Sequence, residues 1–298
     1  MKKTLSEAEI VENFKTSLEN DGKTRATIES YLIDVTHFLK YLKDKQVNFT
    51  GDIKRVHFQS FKKYLLDNNY KRSTINKKVN SLQEFNHYLI RQKLTTELVV
   101  KNQQDMIKLA NGSEMEVEVF SDEEIEKILF FIYEDKISVR DRAIILLLLY
   151  TGIRVSEIVN LKLHDIDFLA MKMTVVGKGE KERHIPLKPE VITAIKDYLE
   201  KERCNHKQAN DSDYLFLSQR SKKMHRDCIN RRLKVITKDL GFLVYPHKFR
   251  HSFCTNLLKK GTEITTVANL AGHTRVETTA RFYINTSKKE KEQAIENL

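Results

Sequence analysis

RDRAIILLLLYTGIRVSEIVNL, residues 140–161, holds the longest apolar run in the chain, Ala143 to Tyr150, and breaks at Gly152. The run is far short of the roughly 20 residues a membrane helix needs, so it reads as a helix buried in a core. Arg154 follows the glycine break, and Glu157 stands one helical turn further on. Upstream, Ser121-Asp122-Glu123-Glu124 is a capping box that opens a helix. Downstream, Met173-Thr174-Val175-Val176, a Gly177-Lys178-Gly179 turn and Arg183-His184-Ile185-Pro186-Leu187 read as a β-hairpin. Its tip is basic, with Lys178, Lys181 and Arg183. Helical patterns resume at Glu190 and run to the C-terminus. The expected class is mainly α with a small antiparallel β-sheet.

The first hundred residues contain no proline and read as four amphipathic helices that can bury one another as a bundle. Ser6-Glu7-Ala8-Glu9 is a capping box ahead of Ile10, Phe14 and Leu18. Thr24 to Lys45 places Ile28, Tyr31, Leu32, Val35, Phe38, Leu39 and Leu42 on one face. A third helix carries Val56, Phe58, Phe61, Tyr64 and Leu65, and a fourth begins near Ser73 and stacks Ile75, Val79, Leu82, Phe85, Leu89 and Ile90. Lys23 and Arg25 gather at the start of the second helix, and Lys71, Arg72, Lys77 and Lys78 at the start of the fourth. A helix N-terminus with added cations cradles phosphate well, although such residues also serve as ordinary solvated helix ends. From residue 101 the helical period fades and Asn111-Gly112-Ser113 follows. The expected organisation is an N-terminal helical domain over 1–104, a linker over 105–120, a second domain over 121–285 and a tail over 286–298.

Composition narrows the partner. The 298 residues include 52 Lys+Arg against 41 Asp+Glu, a net charge of +11. Residues 1–104 alone hold 19 basic and 12 acidic side chains. A chain this basic is a candidate for nucleic-acid binding. Three cysteines, Cys204, Cys228 and Cys254, are odd in number and show no metal-like spacing, so neither a disulfide scaffold nor a structural zinc is expected. The opening MKKTLSEAEIVENF has no apolar signal-peptide core. The expectation is a soluble, cytoplasmic protein with no membrane partner.

Five places in the second half hold residues suited to phosphate chemistry. They are Arg154 with Glu157, Lys178 between two glycines, His247 and Arg250 at helical i, i+3 spacing, His273 after Gly272, and Tyr283 ten residues later. Singly, each is more often a surface or capping group than a catalyst. Together, TGIRVSEIVNL (151–161), VVGKGEKERHIPL (175–187), HKFRHSFCTNLLKKG (247–261) and LAGHTRVETTARFY (270–283) resemble, in order and spacing, the tyrosine recombinase family of phage integrases and Xer proteins. The resemblance spans the whole chain, including a helical N-terminal domain that clamps DNA.

That resemblance implies roles. Arg154 and Arg250 match the two arginines that grip the scissile phosphate, and Lys178 the hairpin lysine that protonates the leaving 5′-oxygen. His247 and His273 match the two active-site histidines, Tyr283 the nucleophile, and Glu157 the acidic residue supporting the first arginine. It further implies double-stranded DNA with paired inverted binding sites. A homo-tetramer on two duplexes, or a hetero-tetramer with a homologous recombinase, would act there. The tail after Tyr283 would dock onto a neighbouring protomer. Two positions depart from the pattern. Ala271 stands where many relatives carry leucine, and many Xer proteins place tyrosine nine residues after the histidine, where this chain has Phe282. The ten-residue spacing occurs in transposon-borne relatives and leans towards a mobile-element enzyme. Arg226, Arg231 and Arg232, in a helix near Met224 to Lys238, are further expected phosphate or groove contacts.

The chemistry is coherent from the residue types alone. Attack on a phosphodiester adds charge to its non-bridging oxygens, which guanidiniums and imidazoles stabilise. The sequence offers no carboxylate cluster for paired Mg²⁺ ions, so neither metal nor cofactor is expected. Two other readings use the same pattern. One is a nicking and closing enzyme of the type IB topoisomerase kind, disfavoured by the small N-terminal domain. The other is a catalytically inactive DNA-binding regulator, disfavoured because a binder has no use for Tyr283.

Overall fold

Side-chain caps decide where the first helices begin. Glu9 Oε2 accepts from the Ser6 N–H at 2.8 Å while Ser6 Oγ accepts from the Glu9 N–H at 3.3 Å. This reciprocal pair starts α1 (Glu7–Asn20), which buries Ile10, Phe14 and Leu18. Thr24 caps α2 (Arg25–Asp44) more simply, its hydroxyl oxygen accepting from the Thr27 N–H. With α3 (Arg55–Asp67) and α4 (Arg72–Arg91) these helices close an aromatic core, in which Phe14 meets Phe85 edge-on at 5.0 Å and Phe38 meets Phe61 at 5.2 Å. Val56, expected on the apolar stripe of α3, is exposed instead. Phe58, Phe61 and Leu65 share one face at i, i+3 and i+7, and position 56 falls on the other.

The computed structural model describes residues 5–108, 117–177, 181–218, 221–273 and 275–284, with only the backbone of 281–284. The chain divides into two units, Met1–Glu114 and Met115–Leu298. In the first, the stretch after 101, where the helical period fades, carries the short helix α5 (Asn102–Asp105). Arg55 holds Asp105 through two bonds of 2.6 and 2.5 Å, and Asn76 Oδ1 accepts from the Ile107 N–H at 2.8 Å. These ties span 50 and 31 residues, so no local periodicity announces them.

The second unit is built around α7 (Val139–Thr151). Every residue from Ala143 to Leu149 is buried, which is why its apolar run shows no polar face. Ahead of it, α6 (Asp122–Phe131) starts at the expected Ser121–Glu124 capping box. After α7 come the single turn α8 (Val155–Ile158) and the strands β1 (Ile166–Asp167), β2 (Lys172–Val176) and β3 (Glu182–Pro186). The sheet is antiparallel in the order β1-β2-β3, with Met173 opposite Ile185 and Thr174 opposite His184. The hairpin was expected; the two-residue β1 was not, being too short to show alternation. Met173, Val175 and Ile185 turn inward to the core. Helix α9 (Pro189–Tyr198) packs on α7, and α10 (Arg226–Leu240), α11 (Pro246–Lys259), α12 (Ile264–Ala271) and α13 (Val276–Ile284) complete the unit. Among the described residues no helix is long and apolar enough to cross a membrane.

Candidate active site

Helix α7 ends on Gly152 in the left-handed region, at φ +57°. A β-carbon there would sit 2.4 Å from Phe253 Cδ1 of α11, so only glycine lets the chain turn against that helix. Gly152→Ala therefore combines backbone strain with a core clash. We expect it to lower the unfolding free energy by about 2–4 kcal/mol, read by urea titration. The turn delivers Arg154 to the start of α8, where its N–H donates to Glu157 Oε2 at 2.9 Å and its Nη1 to Glu157 Oε1 at 2.9 Å.

Glu157 is buried and also receives a two-pronged hydrogen bond from Arg183 of β3, at 3.0 and 2.9 Å. Burial pushes its carboxyl pKa up. The bonds from Arg183 and the Arg154 backbone, with both positive charges, outweigh that and hold it below its ordinary value.

The arginines are mounted on helix ends. The last carbonyls of a helix lack intrahelical partners and carry its negative pole. At the end of α12, Leu270 O accepts from Arg183 Nε at 3.0 Å, Ala271 O from Arg250 Nη2, and Gly272 O from Arg154 Nη2 at 2.8 Å. At the end of α7, Gly152 O accepts from Arg250 Nη1 at 2.7 Å. Gly272 is required for this arrangement, since a β-carbon would lie 2.8 Å from Arg183 Nη1. Arg250 comes from α11, whose Pro246 sets the first turn. It is almost fully buried, and burial, then the charge of Arg154, pulls its guanidinium pKa down to about 10.

Two histidines complete the cluster. His247 lies one turn before Arg250, and burial followed by the charges of Arg250 and Arg154 keeps its imidazole below the usual range. His273 follows the α12 terminus directly, and its Nδ1 lies 2.7 Å from Thr279 Oγ1 of α13. Burial, then Arg250, Arg154, Arg183 and His251, lower its pKa to about 4. The His273 ring is therefore neutral at pH 7. Arg154, His247 and Arg250 line one cleft of about 360 Å³, together with Arg226, Asp227 and Asn230 of the α10 start. Such a cleft is an oxyanion site suited to a phosphodiester. Among the described residues, no cluster of three or more His, Cys, Asp or Glu side chains is placed to hold a metal ion.

The remaining expected residues fall as follows. Lys178 and the tail 286–298 lie outside the described residues. Tyr283 is on the backbone of α13, one turn beyond Thr279. Arg25, Lys71, Arg72, Lys181, Arg226 and Arg231 are exposed, and Lys77 is half-exposed while it pairs with Asp34 at 3.2 Å. Two expected DNA contacts need correction. Lys78 is buried, its ammonium 2.9 Å from Asp34 Oδ1, and Arg183 is turned inward onto Glu157. Both find a buried carboxylate, whose pull exceeds that of solvent only because the fold supplies it at close range. Arg232 likewise holds Asp141 at 2.5 Å. Lys248, between His247 and Arg250, is buried with its ammonium 4.5 Å over the Phe120 ring and 3.1 Å from Glu124. The sequence carried no signal for Thr279 or for the inward turn of Arg183.

The profile of the phage integrase family matches residues 118–290, and that of the phage integrase N-terminal SAM-like domain matches residues 11–93. The chain is 31% identical to the TnP I resolvase of Bacillus thuringiensis over 276 residues, covering 92% of this chain and 94% of that protein. It is 31% identical to the tyrosine recombinase XerD of Oceanobacillus iheyensis over 265 residues, 87% of each. Among solved structures, the XerH recombinase bound to a palindromic difH substrate superposes with a TM-score of 0.75. That match has 20% identity and covers 99% of this chain and 90% of that one. The fold is that of a site-specific DNA strand transferase. The chain belongs to the phage integrase family, the tyrosine recombinases.

Proposed function

We propose that this recombinase cuts and rejoins DNA with Tyr283 as nucleophile and Arg154, Lys178, His247, Arg250 and His273 around the scissile phosphate. The observation that carries the reading is the convergence of Arg154, His247 and Arg250 on one cleft, with His273 bonded beside it to the helix that bears Tyr283. The Tyr283 oxygen attacks phosphorus, forming a 3′-phosphotyrosyl bond as the bond to the 5′-oxygen breaks. Guanidiniums and imidazole N–H groups hold the charge that gathers on the non-bridging oxygens. The phenol proton passes to solvent or a neighbouring base, and Lys178 protonates the departing 5′-oxygen. Because the ester is conserved, the 5′-hydroxyl of a second duplex reverses the step without ATP, through a Holliday junction. The substrate is double-stranded DNA with paired inverted sites, bound in the cytoplasm by four protomers, either identical or paired with a homologue. The outcome is integration or excision of a mobile element, or resolution of joined chromosomes or plasmids. Arg25, Lys71, Arg72 and Lys77 of the first unit, and Lys181, Arg226 and Arg231 of the second, contact phosphates.

The test is covalent trapping in EDTA. Purified protein meets nicked, labelled duplexes tiled across the DNA flanking its own gene, beside Tyr283→Phe. The expected result is a denaturation-resistant protein–DNA band that maps to one tile and vanishes in Tyr283→Phe, which still binds that tile. Tight binding to one tile with no band would instead favour a regulator or a recombinase that lacks its partner.

A further inference from the structure

We propose that Thr279 is a positioning residue that fixes the tautomer of His273, directing the imidazole proton to Nε2. The inference rests on the reading that His273 serves the scissile phosphate. Thr279 is fully buried, so water cannot accept its hydroxyl proton. Among the described residues its hydrogen-bond partner is His273 Nδ1, at 2.7 Å. Helical Thr16, Thr151 and Thr193 settle their hydroxyl protons on the carbonyl four residues back. Thr279 instead meets a ring nitrogen. A buried hydroxyl proton with no acceptor is costly. The hydroxyl therefore donates, and Nδ1 accepts.

A neutral imidazole has one donor and one acceptor nitrogen, so acceptance at Nδ1 puts the proton on Nε2. The ring is kept neutral first by burial and then by the positive charges that face it. Arg250 comes from α11, Arg154 from the start of α8 and Arg183 from β3, with His251 of α11 adding to them. A phosphate oxygen needs a donor, and in this tautomer Nε2 is one. The opposite tautomer would set a lone pair against the anion. The same bond ties the turn after α12 to the first turn of α13, the helix that carries Tyr283.

The test uses full-length protein labelled with ¹⁵N-histidine at pH 7, the His273 signal being assigned by its loss in His273→Gln among ten histidines. The expected spectrum shows a pyridine-like Nδ1 and a protonated Nε2 in the wild type and in Thr279→Ser. In Thr279→Val the preference is lost. DNA cleavage by Thr279→Val should fall roughly 10–100-fold, less than or equal to the ~10²–10³ that removing an oxyanion donor outright costs. Thr279→Ser should stay within about twofold of the wild type. A protonated Nδ1 in the wild type, an unchanged tautomer in Thr279→Val, or unimpaired cleavage with a changed tautomer would each overturn the proposal. Should Thr279→Val not fold, the wild-type and Thr279→Ser spectra decide it. Normal cleavage by His273→Gln would overturn the phosphate role of His273 separately, leaving the tautomer question to the spectra.

Discussion

Arg250→Ala is expected to slow strand cleavage by about 10²–10³ and to unfold more readily, whereas Arg154→Ala slows cleavage comparably and leaves stability almost unchanged. The catalytic loss is common to both because each removes a preorganised positive donor from the same cleft. The stability loss differs because the two side chains are held differently. Arg250 is almost fully buried and bridges the carbonyl ends of α7 and α12 through Gly152 O and Ala271 O. Truncation strands those two acceptors away from water, at about 1–3 kcal/mol each. The Arg154 side chain is about a third exposed, Glu157 keeps its bonds from Arg183, and Gly272 is itself part-exposed, so we expect less than about 1 kcal/mol. Single-turnover cleavage of a nicked duplex and urea unfolding measure the two effects separately. Normal cleavage by either variant would sink the proposed roles. Affinity for intact duplex should change far less than cleavage, since backbone binding is in general spread over many phosphate contacts.

Glu157→Gln should destabilise the second unit by about 3–5 kcal/mol and depress cleavage with it. One carboxylate compensates Arg154 and Arg183 in a site that also contains Arg250. An amide presents a single oxygen and no charge, so Arg183 is left buried without its counter-ion. The wild-type pH dependence should carry the same signature. The folded pKa of Glu157 is depressed below its ordinary value near 4.5. Its stabilisation is thus complete above pH ~4.5 and disappears as the pH falls through the lower folded value. Glu157→Gln should flatten that acid limb. Thermal unfolding between pH 3 and 7 measures it. An unchanged acid limb would mean that other carboxylates set it.

Much of the fold is legible because it is written locally. Ser6, Thr24 and Ser121 bond backbone within three residues, and Gly152 and Gly272 end their helices by their own conformational freedom. Amphipathic spacing places Phe14, Phe38 and Phe85 in the first core, and alternation identifies the β2–β3 hairpin. The candidate site is legible only as residues in the order of a known family, since each alone is more often a surface or capping group.

What local spacing does not carry is direction. Lys77 and Lys78 look alike in the sequence, yet Lys78 is buried on Asp34, 44 residues away, while Lys77 stays half-exposed. Arg183 looks like one more hairpin cation, yet it grips Glu157 across 26 residues and caps α12. By itself the sequence determined the main helices, the β2–β3 hairpin and the net positive charge, and through a family resemblance it pointed to residues suited to phosphoryl transfer. Only the tertiary structure decided which cations stay exposed and which pair with a buried carboxylate. The reason is electrostatic: in water these charges are equivalent, and only a desolvated carboxylate or helix end brought close by folding tells them apart.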